Sequence, residues 1–229
     1  MGSSSSFAVG LLCALHSLAG HVVSPERLAQ EACHIEIDVL GEPIGKQDQY
    51  IAAYGGLQLI QFCPDGRVTV DPVISKPETK RELNRRLMLF YTGATRAASQ
   101  VLSRQSANAV RNRQALRRQC EIALSCRDVL TMGKDLNEFG RLLHAAWECK
   151  KSLEETITNP AIDRYYERAL EAGALGGKLL GAGGGGFLLF FCEPNHHDRL
   201  REALPELREI HFSLEPTGSR VIYVGEDQW

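Results

Sequence analysis

The sequence predicts an α+β protein with helices packed on one face of an antiparallel sheet. Three observations predict it. Short apolar runs of strand length (57–63, 86–91 and 187–191) alternate with much longer stretches of helical periodicity. After residue 82 the order reads strand, helices, strand, helix, strand, strand, which segregates the helices rather than interleaving them as crossovers. A dense glycine run at 181–186 leads straight into an apolar strand. The 229 residues are enough for one large or two small domains with a real core. Apolar content of 44% and charged content of 24% are those of an ordinary globular protein, and a net charge of −2 gives no case for nucleic acid or an anionic membrane. No apolar run approaches the ~20 residues of a membrane span, and Ser3–Ser6 lacks the basic residues that open a secretory signal. The seven cysteines are odd in number and contain no C-x-x-C pair, which argues for reduced thiols and a cytoplasmic setting.

Taken in order, Gly2-Ser3-Ser4-Ser5-Ser6 precedes an unbroken apolar run. A Gly/Ser turn feeding the first turn of a helix presents unpaired N–H groups that suit a phosphate; taken alone, a serine-rich N-terminus is more often disordered or tag-derived. Phe7–Leu18 is apolar on nearly every side and reads as a helix buried all round, with His16 a hydrogen-bonded core histidine. The next helix has Ser24 as N-cap, Pro25 at its first position and Gly41 at its exit. Leu28, Ala32, Ile35 and Val39 form its buried stripe, and Glu36 beside them reads as a surface carboxylate. Pro43–Gln49 is a polar turn in which Asp48 could simply cap a helix over Tyr50–Tyr54. Leu57–Cys63 and Arg67–Val70 read as strands about a Pro-Asp-Gly turn.

Residues 71–82, with two prolines and many charges, form the best domain boundary, so domains are expected at 1–75 and 83–229. Arg86–Tyr91 then reads as a strand ending at Thr92-Gly93. A helical region from about Ala94 to Glu171 carries a core stripe of Leu142, Leu143, Ala146, Trp147 and Leu153. Its arginines (104, 111, 113, 117, 118) lack interleaved aromatics and read as a solvated face. Gly181–Gly186 satisfies G-x-G-x-x-G, but it runs into a strand rather than a helix, which excludes a dinucleotide loop. A P-loop is excluded because Leu179 follows Lys178 where Ser or Thr is required. A helix near Asn195–Ala203 and strands at Arg208–Leu214 and Arg220–Val224 close the chain.

Three of these stretches together resemble the GHMP superfamily of sugar kinases, which includes galactokinase, mevalonate kinase and homoserine kinase. Gly2–Ser6 is similar to its G-L-G-S-S motif, Gly45-Lys46-Gln47-Asp48-Gln49 to its G-x-x-D-Q segment, and Lys178–Gly186 to its K-x-x-G-A-G-G-G-G motif. More narrowly, residues 34–58 and 89–98 resemble the D-glycero-D-manno-heptose 7-phosphate kinases. The resemblance implies a two-domain kinase fold with a ferredoxin-like C-terminal domain. It also implies ATP and Mg²⁺ as cofactors, a small-molecule sugar phosphate as partner, and transfer to the anomeric hydroxyl. On it, Gly2, Ser3, Ser4, Ser5 and Ser6 hold ATP phosphates, and Ser4 and Glu36 share Mg²⁺, Glu36 preceding Asp48 by the galactokinase interval. Asp48 is the base with Lys46 assisting, and Gly45, Thr92, Gly93, Lys178, Gly181, Ala182, Gly183 and Gly184 line the acceptor. The resemblance further implies that Met1 falls inside the phosphate loop, that residues 1–75 are a remnant of the N-terminal domain with exposed apolar surface, and that this chain alone is inactive. A kinase of another sugar such as fucose, or a non-catalytic nucleotide-binding relative, remain the alternatives.

Overall fold

The computed structural model describes residues 2–93, 108, 110–133, 135–223 and 225. By its contacts the chain divides into two units, one of residues 2–72 joined by the segment from Leu214, the other of residues 73–213. Among the described residues no helix is long and apolar enough to cross a membrane, and all seven cysteines are free thiols.

The first unit contains α1 (Ser3–Leu18), α2 (Pro25–Cys33), α3 (Gln47–Tyr54) and a hairpin of β1 (Gln58–Phe62) and β2 (Val68–Pro72). Its core is made of small side chains, Val9, Leu28, Ala29, Ala32, Cys33 and Ala53, with Tyr50 the one aromatic ring. Ser24 caps α2 as expected, its Oγ accepting the Arg27 N–H at 3.2 Å. The hairpin pairs antiparallel with Ile60 opposite Val70. The C-terminal segment docks here by backbone bonds: the Ser219 N–H donates to Ala52 O and the Gly56 N–H to Glu215 O, both at 2.9 Å.

Four expectations are corrected in this unit or its C-terminal segment. Helix α1 is not buried all round: Val9 is fully covered, but Phe7, Leu11, Leu15 and Leu18 expose a face that no described residue covers. The stripe of α2 does not continue past Cys33, because His34–Val39 winds as a π-helix. The wider turn shifts the register, so Ile35 and Val39 are exposed and Glu36 is buried at 5% exposure. Asp48 is not an N-cap: α3 starts at Gln47 with Lys46 in the cap position, leaving Asp48 inside the first turn. Residues 220–223 form no strand; their backbone lies beyond the segment pinned to Ala52. His16 does find a partner, with Nε2 2.6 Å from Glu31 Oε2.

The second unit contains α4 (Pro77–Arg86), β3 (Leu87–Tyr91), α5 (Arg113–Met132), α6 (Asn137–Lys151), α7 (Pro160–Glu171), β4 (Ala174–Leu179), β5 (Phe187–Cys192), α8 (His197–Ala203) and β6 (Arg208–Ile210). The strands pair antiparallel in the order β4-β5-β3-β6, the ferredoxin-like arrangement. Leu89 sits opposite Leu189 on one side and Ile210 on the other. Helix α4 was not foreseen; Pro77 starts it in a stretch whose charge suggested only a linker. The β6 strand is also shorter than expected, ending at Ile210. Trp147, Tyr166, Phe90 and Phe190 make an aromatic core, with Tyr166 5.8 Å from Phe190 and 5.9 Å from Trp147 between ring centres. Arg111, Arg113, Arg117 and Arg118 are exposed, as expected of a solvated face; Arg104 and the start of the long helical region lie outside the described residues.

Candidate active site

Gly2 and the four serines form the entrance to α1. Gly2 takes a left-handed conformation at φ 52°, which glycine adopts without strain. The first helical bond runs from the Ser6 N–H to Gly2 O at 2.9 Å. The N–H groups of Ser3, Ser4 and Ser5 therefore precede the ladder and have no partner among the described residues. The helix itself has no acidic residue in its first turn to offset its positive end. Ser3, Ser4 and Ser6 are exposed, and Ser5 is buried at 3%.

Asp48 lies directly against this turn. A Cβ built on Gly2 would stand 3.1 Å from Asp48 Oδ2 and 3.2 Å from its Cγ. The missing side chain is what lets the carboxylate approach the serine turn, so two stretches far apart in sequence are brought into contact. Asp48 is exposed and has no hydrogen-bond partner among the described residues. Its neighbours Gly45 and Lys46 are exposed as well.

Glu36 is held below the surface by the π-turn. Gln49, fully buried, donates from Nε2 to Glu36 Oε2 at 2.6 Å. The other end of that amide, Gln49 Oε1, is buried without a partner among the described residues. A carboxylate beside an orphaned amide oxygen is an all-oxygen donor set, the chemistry a hard cation such as Mg²⁺ takes, and one carboxylate suffices where phosphates complete the shell. Among the described residues no three His, Cys, Asp or Glu side chains converge on a metal position, so a site built wholly from protein ligands is absent there. Nearby, burial pushes the Cys33 thiol up to about 11, with Lys46 the opposing charge and Glu36 reinforcing the shift. Lys46 and Glu36 thus lie in one electrostatic neighbourhood.

In the second unit the glycines link β4 to β5, strand to strand. Thr92 holds the downstream end: its N–H and Oγ1 both donate to Gly186 O, at 2.9 and 3.0 Å, and Oγ1 also accepts the Gly186 N–H at 3.0 Å. Gly93 follows at φ 73° and is exposed. The middle of the loop is tied by Gly184, whose N–H donates to Ile157 O at 2.9 Å and whose carbonyl accepts Asn159 Nδ2 at 3.3 Å. Gly183, at φ 122°, passes so near that a Cβ would stand 2.8 Å from the Ile157 backbone. The N–H groups of Gly181, Ala182, Gly183 and Gly185 have no partner among the described residues. Lys178 is half-buried on β4; burial holds its ammonium below the usual lysine range, and Cys126 and Lys150 are titratable neighbours.

Several residues of these sites carried no sequence expectation. Asn159 caps α7, its Oδ1 accepting the Ala161 and Ile162 N–H groups at 3.0 and 3.1 Å, while its amide reaches Gly184. The Asn-Pro pair at 159–160 is the signal that could have found it. Tyr166 Oη lies 3.1 Å from the Gly177 N–H and 3.2 Å from its carbonyl, bracing the residue before Lys178; helical spacing marks Tyr166 as buried but not as a bridge. Gln49 was visible only as the last letter of a motif.

Comparison with known proteins accords with this geometry. Residues 1–56 match the GHMP kinases N terminal domain and residues 114–209 the GHMP kinases C terminal region. The chain is 31% identical over 206 residues to the D-glycero-alpha-D-manno-heptose 7-phosphate kinase of Campylobacter jejuni, covering 89% of this chain and 60% of that protein. It is 30% identical over 221 residues to the bifunctional fucokinase/GDP-fucose pyrophosphorylase of Arabidopsis thaliana, covering 93% of this chain and 21% of that one. The crystal structure of a D-glycero-D-manno-heptose 1-phosphate kinase from Bacteroides thetaiotaomicron superposes with a TM-score of 0.75 at 27% identity, covering 97% of this chain and 64% of that one. The chain thus spans less than two thirds of the length of these relatives. With both family regions matched in order, and the serine turn and glycine loop falling where those matches lie, the chain belongs to the GHMP kinases.

Proposed function

We propose that the polypeptide carrying this chain transfers the γ-phosphoryl group of ATP to the anomeric hydroxyl of a sugar phosphate, D-glycero-D-manno-heptose 7-phosphate being the preferred acceptor. The observation that carries the reading is the contact of Gly2 with the Asp48 carboxylate. It sets a free carboxylate beside a helix N-terminus whose first N–H groups are open to an anion. Phosphoryl transfer asks for that pairing, positioning plus charge neutralisation with a group to receive the acceptor's proton.

In this reading the N–H groups of Ser3, Ser4 and Ser5 hold phosphate oxygens of ATP. Asp48 accepts the proton of the anomeric hydroxyl as that oxygen bonds to the γ-phosphorus and the bridging P–O bond breaks toward ADP. Lys46 offsets the charge gathered there. Glu36 and Ser4 are the residues that would hold Mg²⁺, Glu36 being the one in contact with Gln49; a bound Mg²⁺ would supply charge neutralisation of the β- and γ-phosphates. Gly45, Thr92, Gly93, Lys178 and Gly181–Gly184 serve the acceptor. The 31% identity to a heptose 7-phosphate kinase supports the choice of sugar, and the acceptor panel below separates it from fucose, the sugar named for a second relative.

The test is ADP release by the intact polypeptide purified from its own cells, with Mg-ATP and, separately, D-glycero-D-manno-heptose 7-phosphate, L-fucose and galactose. Turnover is expected with the heptose phosphate and lost in Asp48→Asn. Turnover with fucose alone would replace the acceptor. Binding of ATP with no turnover of any sugar would make the protein a non-catalytic member of the family.

A further inference from the structure

The last turn of α6 holds a lysine used in an unusual way. Lys150 Nζ donates to Gly181 O at 2.6 Å and to Leu179 O at 3.3 Å, reaching across to the two ends of the turn that opens the glycine loop. An ammonium at a helix C-terminus is ordinarily satisfied by water or by that helix's own terminal carbonyls. Taking it partly out of water is costly, and here a second lysine, Lys178, adds like charge nearby. An unbranched apolar side chain would fill the same space without that cost, so packing does not account for a lysine. The two carbonyl bonds do.

Their effect on the loop follows from peptide geometry. A trans peptide points its C=O and the next N–H in opposite directions. Drawing Gly181 O toward Lys150 turns the Ala182 N–H away from α6, and drawing Gly184 O toward Asn159 turns the Gly185 N–H away from the start of α7. Gly186 O is taken by Thr92. Carbonyls at 179, 181, 184 and 186 are thus all bonded within the protein, while N–H groups at 181, 182, 183 and 185 have no partner among the described residues. Carbonyls at 180, 182, 183 and 185 have no partner among the described residues either, so the side-chain ties do not sort the whole loop; they fix the direction of single peptides, among them the one that carries the Ala182 N–H, and a donor fixed in this way suits a phosphate ester or another oxyanion.

We propose that Lys150 is the positioning residue of the glycine loop, holding the Leu179 and Gly181 carbonyls so that the Ala182 N–H faces an anionic acceptor. The proposal rests on the reading of this loop as the acceptor side. It assigns Lys150 no contact with substrate.

The test compares Lys150→Met, Lys150→Arg and, as a neighbouring control, Lys151→Met, whose ammonium pairs with Glu148 instead. Amide hydrogen exchange is read residue by residue at Leu180, Gly184 and Gly186, the bonded amides of the loop. Loss of a charged hydrogen bond predicts roughly tenfold faster exchange at these amides in Lys150→Met. Protection of the β3 and β5 amides should be unchanged, Lys150→Arg should recover most of the loss, and Lys151→Met should have no effect. Unchanged loop exchange in Lys150→Met, or an arginine variant as loose as the methionine one, would overturn the proposal. If Lys150→Met does not fold, Lys150→Gln is read by the same criteria. A second arm adds D-glycero-D-manno-heptose 7-phosphate to the unmodified protein. Loop amides that loosen in Lys150→Met yet gain no protection from the sugar phosphate would sink the acceptor reading and leave the clamp standing.

Discussion

The serine turn and the glycine loop are both short runs of small residues that leave backbone amides open, and they are held in opposite ways. At the serine turn the open N–H groups are aligned by the helix behind them, and Asp48 approaches closely at Gly2. The glycine loop has no helix behind it. Each end and the middle are tied by side chains from elsewhere: Lys150, Asn159 and Thr92 on carbonyls. The cores beneath differ to match. Under the serine turn lie alanines, Val9 and Cys33, beside an exposed face of Phe7, Leu11, Leu15 and Leu18. Under the strands that carry the glycine loop lie Trp147, Tyr166, Phe90 and Phe190. A helix terminus is pre-organised by its own hydrogen-bond ladder and needs little support, whereas a loop free to take many conformations has to be fixed by outside donors on a rigid platform.

The largest effect expected on this comparison is chemical. Asp48→Asn should lower kcat in the intact polypeptide by about 10²–10⁴-fold, the usual contribution of a positioned base, and leave the thermal midpoint nearly unchanged, because the exposed carboxylate has no hydrogen-bond partner among the described residues. Steady-state kinetics beside a thermal melt checks both halves; a large fall in the midpoint would make Asp48 a structural residue. Next comes the platform. Phe190→Ala should cost about 3–5 kcal/mol in denaturant unfolding, since the ring is fully buried against Phe90 and Tyr166. The matching truncation on the exposed face, Leu18→Ser at 86% exposure, should fall within about 0.5 kcal/mol. A Leu18 cost as large as that of Phe190 would mean that this face is covered in solution and would erase the contrast in cores.

Glu36→Ala should destabilise the first unit by about 1–3 kcal/mol, because Gln49 Nε2 would join Oε1 as an unsatisfied buried atom. Chemical denaturation checks it, and Gln49→Leu added to Glu36→Ala should recover part of the loss. The smallest effect is a pH dependence. Burial and the Lys178 charge bring Lys150 down to about 8. Because the folded form holds this proton less tightly than the unfolded chain, the destabilisation is complete below about pH 8 and is relieved as pH rises toward the ordinary lysine value near about 10.4. Cys126, the other group facing Lys178, stays protonated through most of this window, its thiol pushed up to about 11 by burial. Across that window the unmodified protein should therefore gain stability relative to Lys150→Met, the difference between the two cancelling the opposing loss from Cys33, Cys126 and Cys192, whose thiols burial pushes up to about 11 in both. Parallel curves would show that Lys150 is not titrating there.

Much of the outline was legible because it rests on local chemistry. Ser24, Pro25 and Gly41 mark a helix entrance and exit through caps that neighbouring residues supply. The Pro-Asp-Gly turn and its flanking runs specify the β1–β2 hairpin. Helix α1 was misjudged because hydropathy reports what a side chain prefers, not whether anything is present to cover it. Helix α4 was missed because its charges suit a solvated helix as well as a linker.

The sequence by itself determined the order of three motifs, the residue types in them and the local backbone each requires, since a glycine at positive φ or a serine at a helix entrance acts within a few residues of itself. Only the tertiary structure decided which of those residues meet. Glu36 looked like a surface carboxylate until one π-helical turn rotated it inward onto Gln49. Lys150 carried no signal at all, because the carbonyls it binds lie 29 and 31 residues further along. A partner that distant is chosen by the packing of α6 on the sheet, and packing is a property of the whole fold.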